Sequence, residues 1–123
     1  MEHKDNLIQS SIKEKAVTLC DSFHGTIEFI GKRWMGIIIY HLLSGPKRYH
    51  ELVAEIHGIS DRLLTERLRE LETQGLVVKS VSKSSPRKVE YELTQTGLEL
   101  EEIINSILKW VKVNGCHTDR NNK

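Results

Sequence analysis

Between Ser44 and Gly97 the apolar positions, chain breaks and charges fall in one order that few architectures can use. An apolar segment stops at Ser44-Gly45-Pro46, where glycine and proline punctuate a helix. Tyr49, Leu52, Val53 and Ile56 then follow helical spacing and predict a short helix over 49–56. Gly58 supplies the C-terminal break, and Ser60 is suited to cap the next helix. That helix, predicted over 60–74, buries Leu63, Leu64, Leu68 and Leu71 on one side. Its other side carries Arg62, Thr65, Glu66, Arg69 and Glu72, with Arg67 at the boundary and Gly75 as the stop. Residues 77–81 and 89–93 alternate as strands do, and Ser84-Ser85-Pro86 between them is turn chemistry. The hairpin holds Lys79, Lys83, Arg87 and Lys88, and no acid before Glu90. Helix, turn, helix and a hairpin with a basic tip is the order of a winged helix-turn-helix. Such a fold holds one exposed helix against a neighbour so that it can enter a major groove.

The flanks add helices. Ser11 and Glu14 fit a capping box, with Ile12, Ala16, Leu19, Cys20 and Phe23 on one stripe behind them. Gly25 is expected to interrupt this helix, and 26–30 to form a further turn. Residues 34–43 are nearly all apolar and predict a buried central helix. Thr96 and Glu99 make another capping pair, opening a final helix that ends at Gly115. Leu98, Ile103, Ile107, Leu108 and Val111 form its main stripe, while Leu100, Ile104 and Trp110 lie off it. A chain of 123 residues is one domain with a modest core. Surplus apolar faces on both terminal helices therefore predict burial between two protomers. The expected class is mainly α with a small antiparallel β-hairpin: a winged helix-turn-helix with N- and C-terminal dimerisation helices. Residues 1–30 form the N-terminal arm and helix, 31–94 the winged-helix core, 95–115 the dimerisation helix and 116–123 a loose tail.

The net charge is +1, so this is no uniformly basic protein. Between Gly31 and His50, however, every charge is basic: Lys32, Arg33, Lys47 and Arg48. Basic tips on a balanced body suit contact with phosphate at a few points. The longest apolar run is broken by Gly36 and His41 and is far short of the roughly 18 residues that span a bilayer. Glu2, Lys4 and Asp5 precede any apolar stretch, unlike a secretory signal. The expected location is the cytoplasm, with no membrane contact, where a structural Cys20–Cys116 disulfide is disfavoured. Cys20 with His24 and Cys116 with His117 have ligand chemistry, but the adjacent Cys116-His117 pair lacks the usual metal-ligand spacing. With no phosphate loop, G-x-S-x-G elbow or H-E-x-x-H present, neither enzymatic activity nor a cofactor or metal is expected.

The chain resembles the HxlR family of bacterial winged-helix regulators, relatives of the MarR group, over roughly residues 20–111. The resemblance is carried by Ile30-Gly31-Lys32-Arg33-Trp34 and Gly45-Pro46-Lys47-Arg48-Tyr49-His50-Glu51-Leu52. It continues through Ile59-Ser60, Leu64-Thr65-Glu66-Arg67-Leu68-Arg69-Glu70-Leu71-Glu72 and Val89-Glu90-Tyr91-Glu92-Leu93-Thr94. It implies a homodimeric transcription regulator binding an inverted-repeat operator in double-stranded DNA. Some members sense quinones, aldehydes or disulfide stress through a cysteine shortly before the first core helix. Cys20 resembles that cysteine in placement, and Cys116 resembles a second thiol at the end of the last helix. Here Asp21 stands where the family usually has proline.

Arg62 and Arg69 are candidate bidentate donors to guanine or phosphate, and Thr65 a candidate for a base edge or a thymine methyl. Ser60 would offer its amide to a phosphate. Glu66 is read either as a tether for arginine or as an acceptor from cytosine, and Arg67 either as a DNA contact or as half of an internal ion pair. Lys83, Arg87 and Lys88 are candidates for phosphate, against an ordinary soluble loop. Lys47 and Arg48 resemble the family's backbone-contacting pair, against a solvated turn. Cys20 is read as the redox sensor, with His24 stabilising its thiolate, against an inert buried thiol. A non-covalent effector, or a domain that docks protein instead of DNA, stays open as the alternative.

Overall fold

The computed structural model describes residues 22–81, 85 and 88–115. The capping box at Ser11, Cys20, Lys83, Arg87 and Cys116 lie outside the described residues. The described residues fall into two compact units that divide between Met35 and Gly36.

In the first unit, helix α1 covers residues 22–30 and runs straight through Gly25, contrary to the expected interruption. A glycine inside an exposed helix costs about 1 kcal/mol against alanine but need not break it. The helix closes through Gly31 N–H donating to the Ile27 carbonyl at 2.8 Å. Trp34 then takes φ 75°, a left-handed conformation rare for a bulky residue. This turn delays the next helix by one residue relative to the sequence pattern.

In the second unit, α2 (Met35–Leu42) buries Ile38, Ile39 and Leu42. It is not buried all round: Ile37 and Tyr40 are 40% and 44% exposed. Helix α3 (Tyr49–Glu55) buries Leu52. Gly58, at φ 90°, reverses the chain toward α4 (Asp61–Thr73). Ser60 caps α4 as expected, its Oγ accepting from Leu63 N–H at 3.1 Å. Leu64, Leu68 and Leu71 are buried beneath α4, whereas Leu63 is only half-buried.

The wing pairs β1 (Val77–Val81) with β2 (Val89–Leu93) antiparallel, Val77 opposite Leu93 and Val81 opposite Val89. Only that first pair is buried, so the strands root in the core while their far ends stand in solvent. Lys47 pairs its backbone with Tyr91, N to O at 2.9 Å and O to N at 2.7 Å. This bridge ties the loop before α3 to the outer edge of the wing. At the root, Thr94 N–H donates to the Leu76 carbonyl at 2.9 Å and Thr94 Oγ1 to the Gly75 carbonyl at 2.6 Å.

The cap of the next helix, α5 (Gln95–Leu98), is Thr94 and not Thr96. Its backbone is extended at the exit from β2, the geometry a cap requires, and its hydroxyl accepts from Gly97 N–H at 3.1 Å. Helix α6 (Glu101–Asn114) divides its apolar positions between two rows. Ile104, which lies off the predicted main stripe, is the buried residue, with Leu100 and Val111 half-buried beside it in register. Of the predicted main stripe, Leu98, Ile103, Ile107 and Leu108 are exposed, as is Trp110, and only Val111 is half-buried. Among the described residues no helix is long and apolar enough to cross a membrane.

Candidate nucleic-acid interface

Helix α4 is built with one face for the core and one for something else. Its leucines recur every three or four residues and anchor it. The opposite face exposes Arg62, Thr65, Glu66 and Arg69. Arg62 is 89% exposed at its side chain, and its Nε lies 3.8 Å from Glu66 Oε1. Such an exposed pair contributes only roughly 0–1 kcal/mol, so it leaves the guanidinium available while holding the two side chains in one row. Arg69 is exposed and, among the described residues, enters no ion pair.

Two candidates are placed differently. Arg67 Nη1 lies 2.7 Å from Glu70 Oε1, and its side chain is only 15% exposed. Of its two sequence readings this is the internal ion pair: position 67 lies beside Leu64, Leu68 and Leu71, so its charge turns along the domain surface. Lys47 Nζ lies 3.0 Å from Glu55 Oε2 with a side chain 21% exposed. Its ammonium is paired within the domain. Arg48 is half-buried and donates its N–H to Glu51 Oε1 at 2.7 Å. Ser60 and Lys88 are exposed, and Lys88 N–H donates to the Ser85 carbonyl at 3.0 Å within the wing tip. His24 lies beside Glu28 one turn on, Nε2 to Oε1 at 3.0 Å, while Cys20, for which it was read as a partner, lies outside the described residues.

Sequence reading missed the residues that brace this face. Glu55 joins three segments: Oε2 accepts from Lys47 and Oε1 lies 3.0 Å from His41 Nδ1. The Lys47 hydrogen bond, with His41 adding to it, holds the Glu55 carboxyl below its ordinary pKa. Tyr49, read only as part of an apolar stripe, extends its hydroxyl to α4. It lies 2.9 Å from the Asp61 carbonyl oxygen, 3.4 Å from Asp61 Oδ1 and 3.2 Å from Thr65 Oγ1. The available signal was a tyrosine at a position phenylalanine would fill, since a part-buried phenol needs a partner.

The arrangement is an exposed, arginine-bearing helix clamped by its neighbour beside a projecting hairpin. Comparison with known proteins gives the same answer. Residues 29–119 match the HxlR-like helix-turn-helix family. The HTH-type transcriptional regulator YodB of Bacillus subtilis (strain 168) is 39% identical over 93 residues, covering 76% of this chain and 83% of YodB. The redox regulator HypR in its oxidized form superposes with a TM-score of 0.68 at 40% identity, covering 76% of this chain and 96% of that one. Quinone-bound YodB from B. subtilis superposes at 0.67 with 34% identity, covering 76% and 98%. From its own architecture and from these likenesses, this chain belongs to the HxlR-like helix-turn-helix family and is a helix-turn-helix transcriptional regulator.

Proposed function

We propose that the protein is a homodimeric, sequence-specific DNA-binding repressor of stress or detoxification genes, released when Cys20 is oxidised or alkylated. The observation that carries the DNA reading is the one-sided build of α4: leucines buried beneath, and Arg62, Thr65, Glu66 and Arg69 exposed above. In this reading α4 enters the major groove and the wing lies along the flanking backbone, with Lys83, Arg87 and Lys88 meeting phosphate. Ser60, capping α4, offers its amide to the same backbone. Two copies related by a twofold axis would read an inverted repeat with half-sites about one or two helical turns apart. The apolar face of α6 at Ile103, Ile107 and Leu108, and that of α1 at Phe23 and Ile27, favour burial against a second copy. The reading assigns the chain no catalytic role.

The thiol switch is supported by likeness to a redox regulator and to a regulator captured with a quinone. Diamide would take two electrons and two protons as Cys20 and the partner's Cys116 join in a disulfide; a quinone would instead add to the Cys20 thiolate. Either change at the dimer-forming termini would alter the spacing of the two reading helices.

Fluorescence anisotropy tests both halves, using DNA from the gene's own upstream region and a random duplex as control. The reduced protein is expected to prefer the upstream DNA, to release it on diamide, and to regain it with dithiothreitol. Cys20→Ser is expected to bind like the parent and ignore the oxidant. A Cys20→Ser protein that still releases would remove Cys20 from the mechanism and leave a non-covalent effector as the reading. Absence of any preference for a selected sequence would favour a protein-docking role. Arg69→Ala is expected to lose about 1–3 kcal/mol of binding on the operator, roughly tenfold to a hundredfold, and much less on random DNA. Equal losses on both would show that Arg69 meets phosphate and not a base.

A further inference from the structure

The hydrogen bonds around Tyr49 decide where the proton of the Thr65 hydroxyl goes. Tyr49 opens α3, half-buried, and its phenol reaches three oxygens of α4. A phenol has one proton to give and lone pairs with which to accept. The Asp61 carbonyl oxygen, at 2.9 Å, can only accept, and Asp61 Oδ1 accepts from the same phenol at 3.4 Å. The phenol proton is therefore committed to Asp61. Because the contact to the Asp61 carbonyl is the shorter, the 3.2 Å contact with Thr65 Oγ1 is read in the direction in which Thr65 donates to the phenol oxygen. Among the described residues the Thr65 hydroxyl has no other hydrogen bond, and it is exposed on the same face as Arg62, Glu66 and Arg69.

We infer that Tyr49 is a specificity-determining residue: by taking up the Thr65 proton it makes Thr65 present DNA with an acceptor and a methyl group, and no donor. The inference rests on the DNA reading proposed above. A free threonine hydroxyl can donate or accept and so tolerates either kind of base edge. With its proton withdrawn it discriminates. The exocyclic amines of adenine and cytosine offer it a donor in the major groove, whereas guanine presents only acceptors, O6 and N7. At the base that Thr65 faces, adenine or cytosine should thus be favoured over guanine. Tyr49 does not touch the DNA in this scheme. It acts through Thr65 as a positioning residue, and phenylalanine in its place would keep the ring's packing while freeing the threonine proton.

The test is selection of binding sites from a random duplex library by the full chain, in parallel for the parent, Tyr49→Phe and Thr65→Val. Thermal unfolding serves as the control that both variants fold. Thr65→Val, which keeps the shape and removes the hydroxyl, identifies the operator position that Thr65 reads. Tyr49→Phe is expected to relax the preference against guanine at that same position by about fivefold, the worth of one net hydrogen bond, and to leave the other positions unchanged. If Tyr49→Phe returns the parental motif at every position, or weakens every position equally, Tyr49 is only a tether between helices and the inference is overturned. It is equally overturned if Thr65→Val changes no position, which leaves the DNA reading intact. A parental selection that enriches no sequence would instead overturn the DNA reading itself.

Discussion

Gly97→Ala is expected to lower the thermal midpoint by more than about 10 °C, from a cost of about 3 kcal/mol spread over a small domain. Helix propensity alone predicts the opposite sign, because alanine is favoured over glycine inside a helix by about 1 kcal/mol. The close approach decides it. A Cβ at Gly97 would collide with the Leu76 carbonyl oxygen and crowd Leu93 Cδ2 at 3.0 Å. That carbonyl cannot simply withdraw, because it accepts from Thr94 N–H at 2.9 Å. Thr94 in turn caps α5 and holds the Gly75 carbonyl. Relief of the clash would open the root of the wing, so the variant should also lose DNA affinity. Circular dichroism melts at one fixed protein concentration would measure it. A midpoint within a degree or two of the parent would mean that the α5–wing junction is looser than its contacts imply.

Leu68→Ala should cost about 2–5 kcal/mol of folding free energy, the range for removing a buried leucine from a packed core. Leu68 is 1% exposed and stands between Leu64 and Leu71, both fully buried under the same helix. Its neighbour in sequence, Arg69, is exposed, so Arg69→Ala should stay within about 0.5 kcal/mol of the parent in stability. The pair therefore separates scaffold from reader across one peptide bond. Urea denaturation should show a large loss for Leu68→Ala and none for Arg69→Ala; operator affinity measured on fully folded protein should show the reverse. Protein concentration must be held equal, since dimerisation stabilises the folded state by mass action. Losses of similar size at both positions would contradict the two-faced description of α4.

Much of this arrangement is legible in the spacing of residues along the chain. Spacing set the bounds of α4 to within a residue, because leucines at three and four and a serine cap are local signals that nothing in the tertiary structure opposes. Strands β1 and β2 matched their predicted limits for the same reason. The exposed set Arg62, Thr65, Glu66 and Arg69 follows from helical geometry once the buried leucines are known. Arg67 did not follow. It lies at the margin of the stripe, and its direction depends on Glu70 one turn away competing with solvent.

The failures share one cause. Thr96 and Glu99 satisfy a capping pattern, but the true cap is Thr94, chosen because β2 delivers the chain there in an extended conformation. Lys47 reads as an unopposed positive charge only while Glu55, eight residues on, is out of sight. On α6 periodicity marks apolar rows but cannot say which row meets its own domain; the buried row is the one containing Ile104.

Element order, the caps and breaks at Gly58, Ser60 and Gly75, and the chemistry offered by α4 are all local, since each depends on residues within a few turns of one another. Contacts between elements settle which charges are neutralised, which apolar row of α6 is covered, and that the Tyr49 phenol reaches both Asp61 and Thr65. These outcomes depend on groups from separate elements meeting within hydrogen-bonding or van der Waals distance, and no periodicity along a single element encodes that meeting.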